Sequence, residues 1–180
     1  MKLILIGIQG SGKSTQGNLL SEKLGIPYLS SGHIFREMAK EKTPLGRYIK
    51  ETMNAGYLIP DDKTLEIVVE YLSHSEYEKG YILDGFPRTV PQAEAFPNGV
   101  ERVIYLRVSD KEALWRLADR VEEGVREDNT LKALKKRIEL FHTLTEPVID
   151  YYRQKGKLLE IDGEKNIEDI TAEILKDLNP

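Results

Sequence analysis

The residues best suited to chemistry stand near the start of the chain, where Gly7-Ile8-Gln9-Gly10-Ser11-Gly12-Lys13-Ser14 satisfies the pattern G-x-x-x-x-G-K-[ST]. Glycines let such a loop curl so that several backbone N–H groups point inward, and the N-terminus of a following helix adds partial positive charge. Gly10, Ser11 and Gly12 would cradle phosphates, Lys13 would reach the terminal ones, and the hydroxyl of Ser14 or Thr15 would contact Mg²⁺. The alternative is a Gly-rich turn without a ligand. The motif follows a strand-like run and opens a helix-like one, which is the context that the phosphate reading requires. It identifies a nucleoside triphosphate as the ligand and leaves the reaction open.

A second apolar run, Tyr81-Ile82-Leu83-Asp84, ends on an acid suited to holding a Mg²⁺ shell, largely through water. The residue after it is Gly85, not a water-activating Glu, and no Asn-Lys-x-Asp guanine-reading motif is present. Hydrolases need a group that positions water, whereas kinases must bring in a second substrate and keep water out.

The elements that must position these residues follow from the pattern of the rest. Short β-branched and apolar runs alternate with amphipathic stretches, as in repeated βα units around a parallel sheet. Five strands are predicted, at Lys2 to Gly7, Pro27 to Leu29, Gly80 to Leu83, Arg102 to Val108 and Lys157 to Ile161. Helix starts are signalled by Thr43-Pro44 (N-cap, then Pro at the first helical position), Pro60-Asp61-Asp62 (an acidic first turn) and Ser109-Asp110-Lys111-Glu112 (a capping box). The interval Ser30 to Asp61 holds helix signals without a strand, which suggests a small helical lobe at the C-terminal ends of the strands, where such sheets bind ligands. One domain is expected over 1–180.

Composition narrows the class further. A formal net charge of −4 argues against a general nucleic-acid binder, and 40 % hydrophobic residues suffice for a core. No apolar run approaches the roughly 18 residues of a membrane span, and Leu3 to Ile8 is too short for a signal-peptide core. A cytoplasmic protein is expected. Zero cysteines exclude disulfides, thiolate zinc sites and a cysteine nucleophile. His33, His74 and His142 show no metal spacing and read as surface or core histidines; Trp115 and the pair Tyr151-Tyr152 read as packing.

Beyond Asp84 the run Gly85-Phe86-Pro87-Arg88-Thr89, with Gln92 four residues after the Arg, resembles the adenylate kinases within the nucleoside monophosphate kinase family, and the resemblance extends over essentially the whole chain. It implies a P-loop α/β fold, a five-stranded parallel sheet with helices on both faces, a helical AMP lobe at about 30–59 and a short lid near 121–126. Gly7 to Thr15 then matches the ATP-phosphate loop, with Ser14 where the family usually has Gly. In Leu29-Ser30-Ser31-Gly32-His33-Ile34-Phe35-Arg36, Ser31 and Arg36 would contact AMP, and His33 replaces the usual Asp. Gly56-Tyr57-Leu58-Ile59-Pro60-Asp61 looks like the turn whose backbone holds the AMP adenine and ribose, with Tyr57, Leu58 and Ile59 as its contacts, and Gly85, Phe86, Pro87, Arg88 and Gln92 look like the phosphate and base contacts. Arg116 and Arg120 match arginines at the ATP adenine and phosphates, Arg126 and Arg137 the pair spanning both phosphate groups, and Lys165 lies in the turn that touches the ATP adenine. Only Val121 to Val125 separate Arg120 from Arg126, so the chain resembles a short-lid form without the longer lid that carries zinc in some relatives. Asp128 is retained in the lid motif and Asn129 replaces its second Asp.

The implied reaction is ATP + AMP ⇌ 2 ADP with Mg²⁺ and no zinc, by a monomer. Its acceptor needs no general base; the demand is for position and for positive charge around a loose transition state. Lys13, Arg88, Arg120, Arg126 and Arg137 would supply that charge, because the arginine fork grips phosphate oxygens and stays ionised. Each arginine taken singly has the duller reading of a surface ion pair. Gln92 would select adenine, since a carboxamide donates and accepts together. A kinase for UMP or CMP is the nearest alternative, and a P-loop regulatory module that slowly hydrolyses nucleotide is a further one.

Overall fold

A computed structural model describes residues 1–96, 99–119 and 130–178 of the chain. Five strands form one sheet: β1 (Lys2–Ile6), β2 (Tyr28–Ser30), β3 (Tyr81–Asp84), β4 (Arg102–Arg107) and β5 (Leu158–Asp162). Their order is β2-β3-β1-β4-β5, and every pairing is parallel. All five predicted strands are present with ends shifted by about a residue. Asp84 is the one shift that matters: it is still paired, opposite Leu5 on one side and Ser30 on the other, so the sheet fixes its backbone.

Period-two alternation explains the layering. Leu3 and Leu5 of β1 face one side with Ile82, Ile104, Leu106 and Ile161, against Leu20 of α1 (Lys13–Leu24) and Ile170 and Ile174 of α9 (Ile167–Leu178). Ile4 and Ile6 face the other side with Leu83 and Val103, beneath α4 (Asp61–Leu72) and α8 (Glu146–Gln154), which bury Ile67, Val68, Val148 and Ile149. Helices therefore cover both faces, and the central strands β1 and β3 are apolar over nearly their whole length because they are buried on both.

Between β2 and α4 lie two helices and no strand: α2 (Ser31–Lys40) and α3 (Pro44–Asn54). Thr43 caps α3 as its sequence suggests, accepting from the Gly46 N–H at 2.9 Å with Pro44 in the first turn. A short helix α5 (Val90–Ala95), then α6 (Asp110–Asp119) and α7 (Leu131–Leu140), complete the described set, and a π-helical turn over Phe141–Thr145 joins α7 to α8. The capping box at α6 is only half formed. Ser109 accepts from the Glu112 N–H at 3.3 Å, but the Glu112 carboxylate turns to Arg116, and Glu164 of the turn after β5 takes the Ser109 N–H at 2.8 Å.

Candidate active site

β1 lies at the centre of the sheet, and the chain leaves it towards β2 on one side before β3 sends it back to β4 on the other. Ligands in such sheets bind at this reversal, beyond the carboxyl ends of the strands. A cavity of about 550 Å³ opens there, between the loop after β1 and the segment after β3.

The first wall is the Gly7–Ser14 loop. Gly12 stands at the N-cap of α1 with φ of 91°, a left-handed conformation that glycine adopts without strain. Lys13 folds back over the loop, and its Nζ donates to Gly7 O at 2.8 Å and Ile8 O at 2.9 Å. Gly10, Gly12, Lys13 and Ser14 line the cavity. Ser11 is buried beneath them and Thr15 is partly buried outside the lining.

The opposite wall comes from three distant parts of the chain. Arg36 of α2, Arg88 after β3 and Arg137 of α7 all line the cavity. The charges of Arg137 and Arg36 act on Arg88, and together with burial, the largest cause, they push its guanidinium below its usual value; Asp84 opposes them. Arg88 Nε donates to Gly85 O at 2.8 Å, and Thr145 of the π turn donates to Arg88 O at 2.9 Å. Arg137 bridges the two walls, donating to Gln9 Oε1 of the loop at 3.1 Å and to Met53 O at the end of α3 at 3.0 Å. Gly85, with φ of 80°, strains any side chain: a Cβ would lie 2.6 Å from Ser31 Oγ, which would have to move. Ser31 is thereby buried next to the cavity, behind Gly85. Phe86 and Pro87, joined by a cis peptide, line the same wall, as do Tyr57, Leu58 and Ile59.

Asp84 lies at the cavity floor. Its Oδ2 accepts from Tyr28 Oη at 2.9 Å, and burial and the Asp84 charge push the Tyr28 phenol far up, keeping it a neutral donor. Its Oδ1 is buried without a protein partner. Such an oxygen is costly unless something satisfies it, and a hydrated divalent cation fits. Among the described residues no three His, Cys, Asp or Glu side chains gather to hold a metal by themselves. A cation here would therefore take its remaining ligands from water and phosphate oxygens, with Ser14 at hand, as is usual for Mg²⁺.

Other predicted residues are placed elsewhere. Arg116 lies outside the cavity lining, donating to Glu112 at 2.7 Å and to Gly163 O at 2.9 Å; Lys165 pairs with Glu173 at 2.7 Å. Arg120 and Arg126, with the lid at 121–126 and with Asp128 and Asn129, lie outside the described residues. Gln92 is buried on the cavity wall, its amide held by Asp61 and by the Arg88 N–H. Tyr28 and Thr145 are not signalled as site residues, and Asp61 only as the end of the turn Gly56 to Asp61. Asp61 reads in sequence as an acidic helix start, but its carboxylate serves Thr89 and Gln92. Thr145 carries no sequence signal, since only the π turn brings it beneath Arg88.

A strand-loop-helix phosphate cradle facing a wall of arginines across a parallel sheet defines a P-loop phosphotransferase. The comparisons sharpen the class. Residues 5–157 match the profile of the family described as Adenylate kinase. The chain is 39 % identical to an adenylate kinase of Caldicellulosiruptor bescii, over 99 % of both chains. It is 41 % identical to one of Nitrobacter hamburgensis over 98 % of this chain and 91 % of that one, and 39 % identical to one of Cyanothece sp. over 96 % and 92 %. The chain belongs to the adenylate kinase family, and as such it is a nucleoside monophosphate kinase. The alignment with the Caldicellulosiruptor bescii protein spans 212 positions against a chain of 180, so that relative has residues without a counterpart here.

Proposed function

We propose that the protein transfers the γ-phosphoryl group of ATP to AMP, reversibly, giving two ADP. The observation that carries this reading is the convergence of Lys13 with Arg36, Arg88 and Arg137 on one cavity whose floor holds the unpartnered Asp84 oxygen. Four fixed cations suit two polyanionic substrates whose mutual repulsion makes up much of the barrier. ATP phosphates lie on the backbone N–H groups of Gly10 to Thr15 with Lys13 at their end. Arg36 and Arg88 hold the AMP phosphate, and Arg137, already tied to both walls, spans donor and acceptor. Tyr57, Leu58 and Ile59 line the AMP base and ribose site, Gln92 faces the adenine edge, and Ser31, packed against Gly85 beside the cavity, contacts AMP. Asp84, with the hydroxyl of Ser14 or Thr15, would hold Mg²⁺, largely through water, and the ion would supply positive charge against the charge developing on the phosphates.

In this reading the site is completed by Arg120 at the ATP phosphates, by Arg126 of a short lid at about 121–126, by the helical lobe at about 30–59 that holds AMP, and by Arg116 and Lys165 at the adenine of ATP. The support for the short lid is the five-residue separation of Arg120 from Arg126. Closure of lobe and lid excludes water and so suppresses hydrolysis of ATP. We take the protein to act as a monomer in the cytoplasm, without nucleic-acid partners and without zinc, a reading supported by the net charge of −4 and the zero cysteines; no described helix is long and apolar enough to cross a membrane. One assay tests the reading: purified protein with Mg²⁺ and ATP, offered AMP, UMP and CMP in turn and no acceptor. ADP formation with AMP alone is expected. Preference for UMP or CMP would reassign the acceptor, and acceptor-independent hydrolysis would replace the kinase by a nucleotidase module.

A further inference from the structure

A carboxamide can be set in its site in either of two orientations, and only its neighbours decide which atom is the donor and which the acceptor. For Gln92 the neighbours leave one choice. Asp61 Oδ1 lies 2.7 Å from Nε2, and an ionised carboxylate only accepts, so the NH₂ group must face it. The Arg88 N–H lies 2.8 Å from Oε1, and an amide N–H only donates, so the carbonyl must face it. Asp61 is itself held: its Oδ2 accepts from Thr89 Oγ1 at 2.9 Å, and Thr89 Oγ1 in turn accepts from the Gln92 backbone N–H at 3.3 Å. The four groups close a ring that spans the start of α4, the loop after β3 and the first turn of α5.

Beyond these two bonds the amide has one further N–H and one further oxygen lone pair, on a residue that lines the cavity. That pair complements a 6-aminopurine, which offers a donor beside an acceptor. A 6-oxopurine reverses the pattern on its N1 edge and would need the amide turned over, which would set two acceptors against each other at Asp61 and two donors at Arg88. We propose that Asp61 is a specificity-determining positioning residue: by fixing the orientation of the Gln92 amide it makes the acceptor site select 6-amino over 6-oxo purine monophosphates. The proposal rests on the reading above that Gln92 faces the base, and it adds a residue that does not itself touch substrate.

The test uses the full-length enzyme with Mg²⁺ and ATP, and AMP or IMP as acceptor. Asp61→Ala is expected to lower the ratio of kcat/KM for AMP to that for IMP about 10-fold, through KM for AMP, while KM for ATP moves less than about twofold. Asp61→Asn, which can still turn an acceptor oxygen towards Gln92, is expected to hold the ratio within about threefold. A purely structural role would move the constants for ATP and AMP together and leave the ratio alone. Gln92→Ala separates this proposal from the reading beneath it. If that variant leaves the AMP constants unchanged, Gln92 does not read the base and both fall; if it lowers the ratio while Asp61→Ala does not, only the role of Asp61 is overturned. In the Gln92→Ala background, Asp61→Ala should change the ratio no further, and a second 10-fold fall would overturn action through Gln92. Should Asp61→Ala fail to fold, Asp61→Ser, whose hydroxyl is too short to reach Nε2, takes its place with the same expected outcome.

Discussion

The two walls of the cavity are built by opposite means. On the triphosphate side, the contacts that shape the loop are local: Lys13 reaches Gly7, Ile8 and Ser11, none more than six residues away, and the helix start is set by one left-handed glycine. On the monophosphate side, the contacts are between side chains and strangers. Asp61 meets Gln92 across 31 residues, Thr145 supports Arg88 across 57, and Arg137 joins Met53 across 84 and Gln9 across 128. A local loop forms wherever its short sequence is intact. A wall assembled from α2, α3, α5, α7 and the π turn exists only when the whole fold is in place, and it can differ between relatives through the neighbours of a residue as well as through the residue itself.

The comparison breaks first at the arginines. Arg88→Ala and Arg137→Ala are each expected to lower kcat at least about 100-fold, by analogy with arginines that stabilise phosphoryl transfer elsewhere. Arg137 should also raise KM for both substrates, because its two hydrogen bonds tie loop to lobe, whereas the KM effect of Arg88 should fall on AMP. Near-normal turnover of purified Arg88→Ala would remove it from the transition state. A smaller effect is expected at Gly85. Alanine there combines a left-handed backbone with a Cβ 2.6 Å from Ser31 Oγ and 3.2 Å from an Arg88 nitrogen, and should cost about 1 to 3 kcal/mol of stability. Thermal unfolding with AMP and ATP titrations checks this: Tm falls and KM for AMP rises, with KM for ATP held. An unchanged Tm would mean that Ser31 yields freely and the wall is looser than its contacts imply.

The same contrast explains what could be read from the sequence. The loop Gly7 to Ser14, the N-cap at Thr43 and the five strands rest on spacing and period within about ten residues, and all are found where the residues put them. What escaped reading is tertiary. Asp61 has the sequence appearance of a helix-start acid, and nothing nearby says that its carboxylate is taken by Thr89 and Gln92. Glu112 completes a capping box in sequence, but an arginine one turn along outcompetes the Ser109 N–H for its carboxylate, and Glu164 supplies the missing half from 55 residues away. Site residues were legible where a motif carried them and invisible where their role comes from a neighbour, as with Tyr28 beneath Asp84 and Thr145 beneath Arg88.

The smallest effect lies at a long-range contact outside the cavity. His142 of the π turn reads in sequence as an ordinary surface histidine, yet its Nδ1 lies 2.7 Å from Glu146 of α8 and its Nε2 3.0 Å from Asp110 at the start of α6. With both nitrogens against carboxylates the imidazolium is favoured, and the hydrogen bond it donates to Glu146, then that to Asp110, raise its pKa above the ordinary value of 6.5. A histidine whose folded pKa is raised stabilises the fold fully below its unfolded pKa, and that contribution disappears as pH rises through the folded one. Because the ring is 42 % exposed, solvent screens the pair and the contribution should be below about 1 kcal/mol. His142→Ala should therefore lower Tm by about 2 °C near pH 6 and by much less near pH 9. A deficit that is the same at both pH values would show that His142 acts by packing on Phe141, whose ring it meets edge-on at 5.6 Å, and that α6 and α8 are not joined by charge.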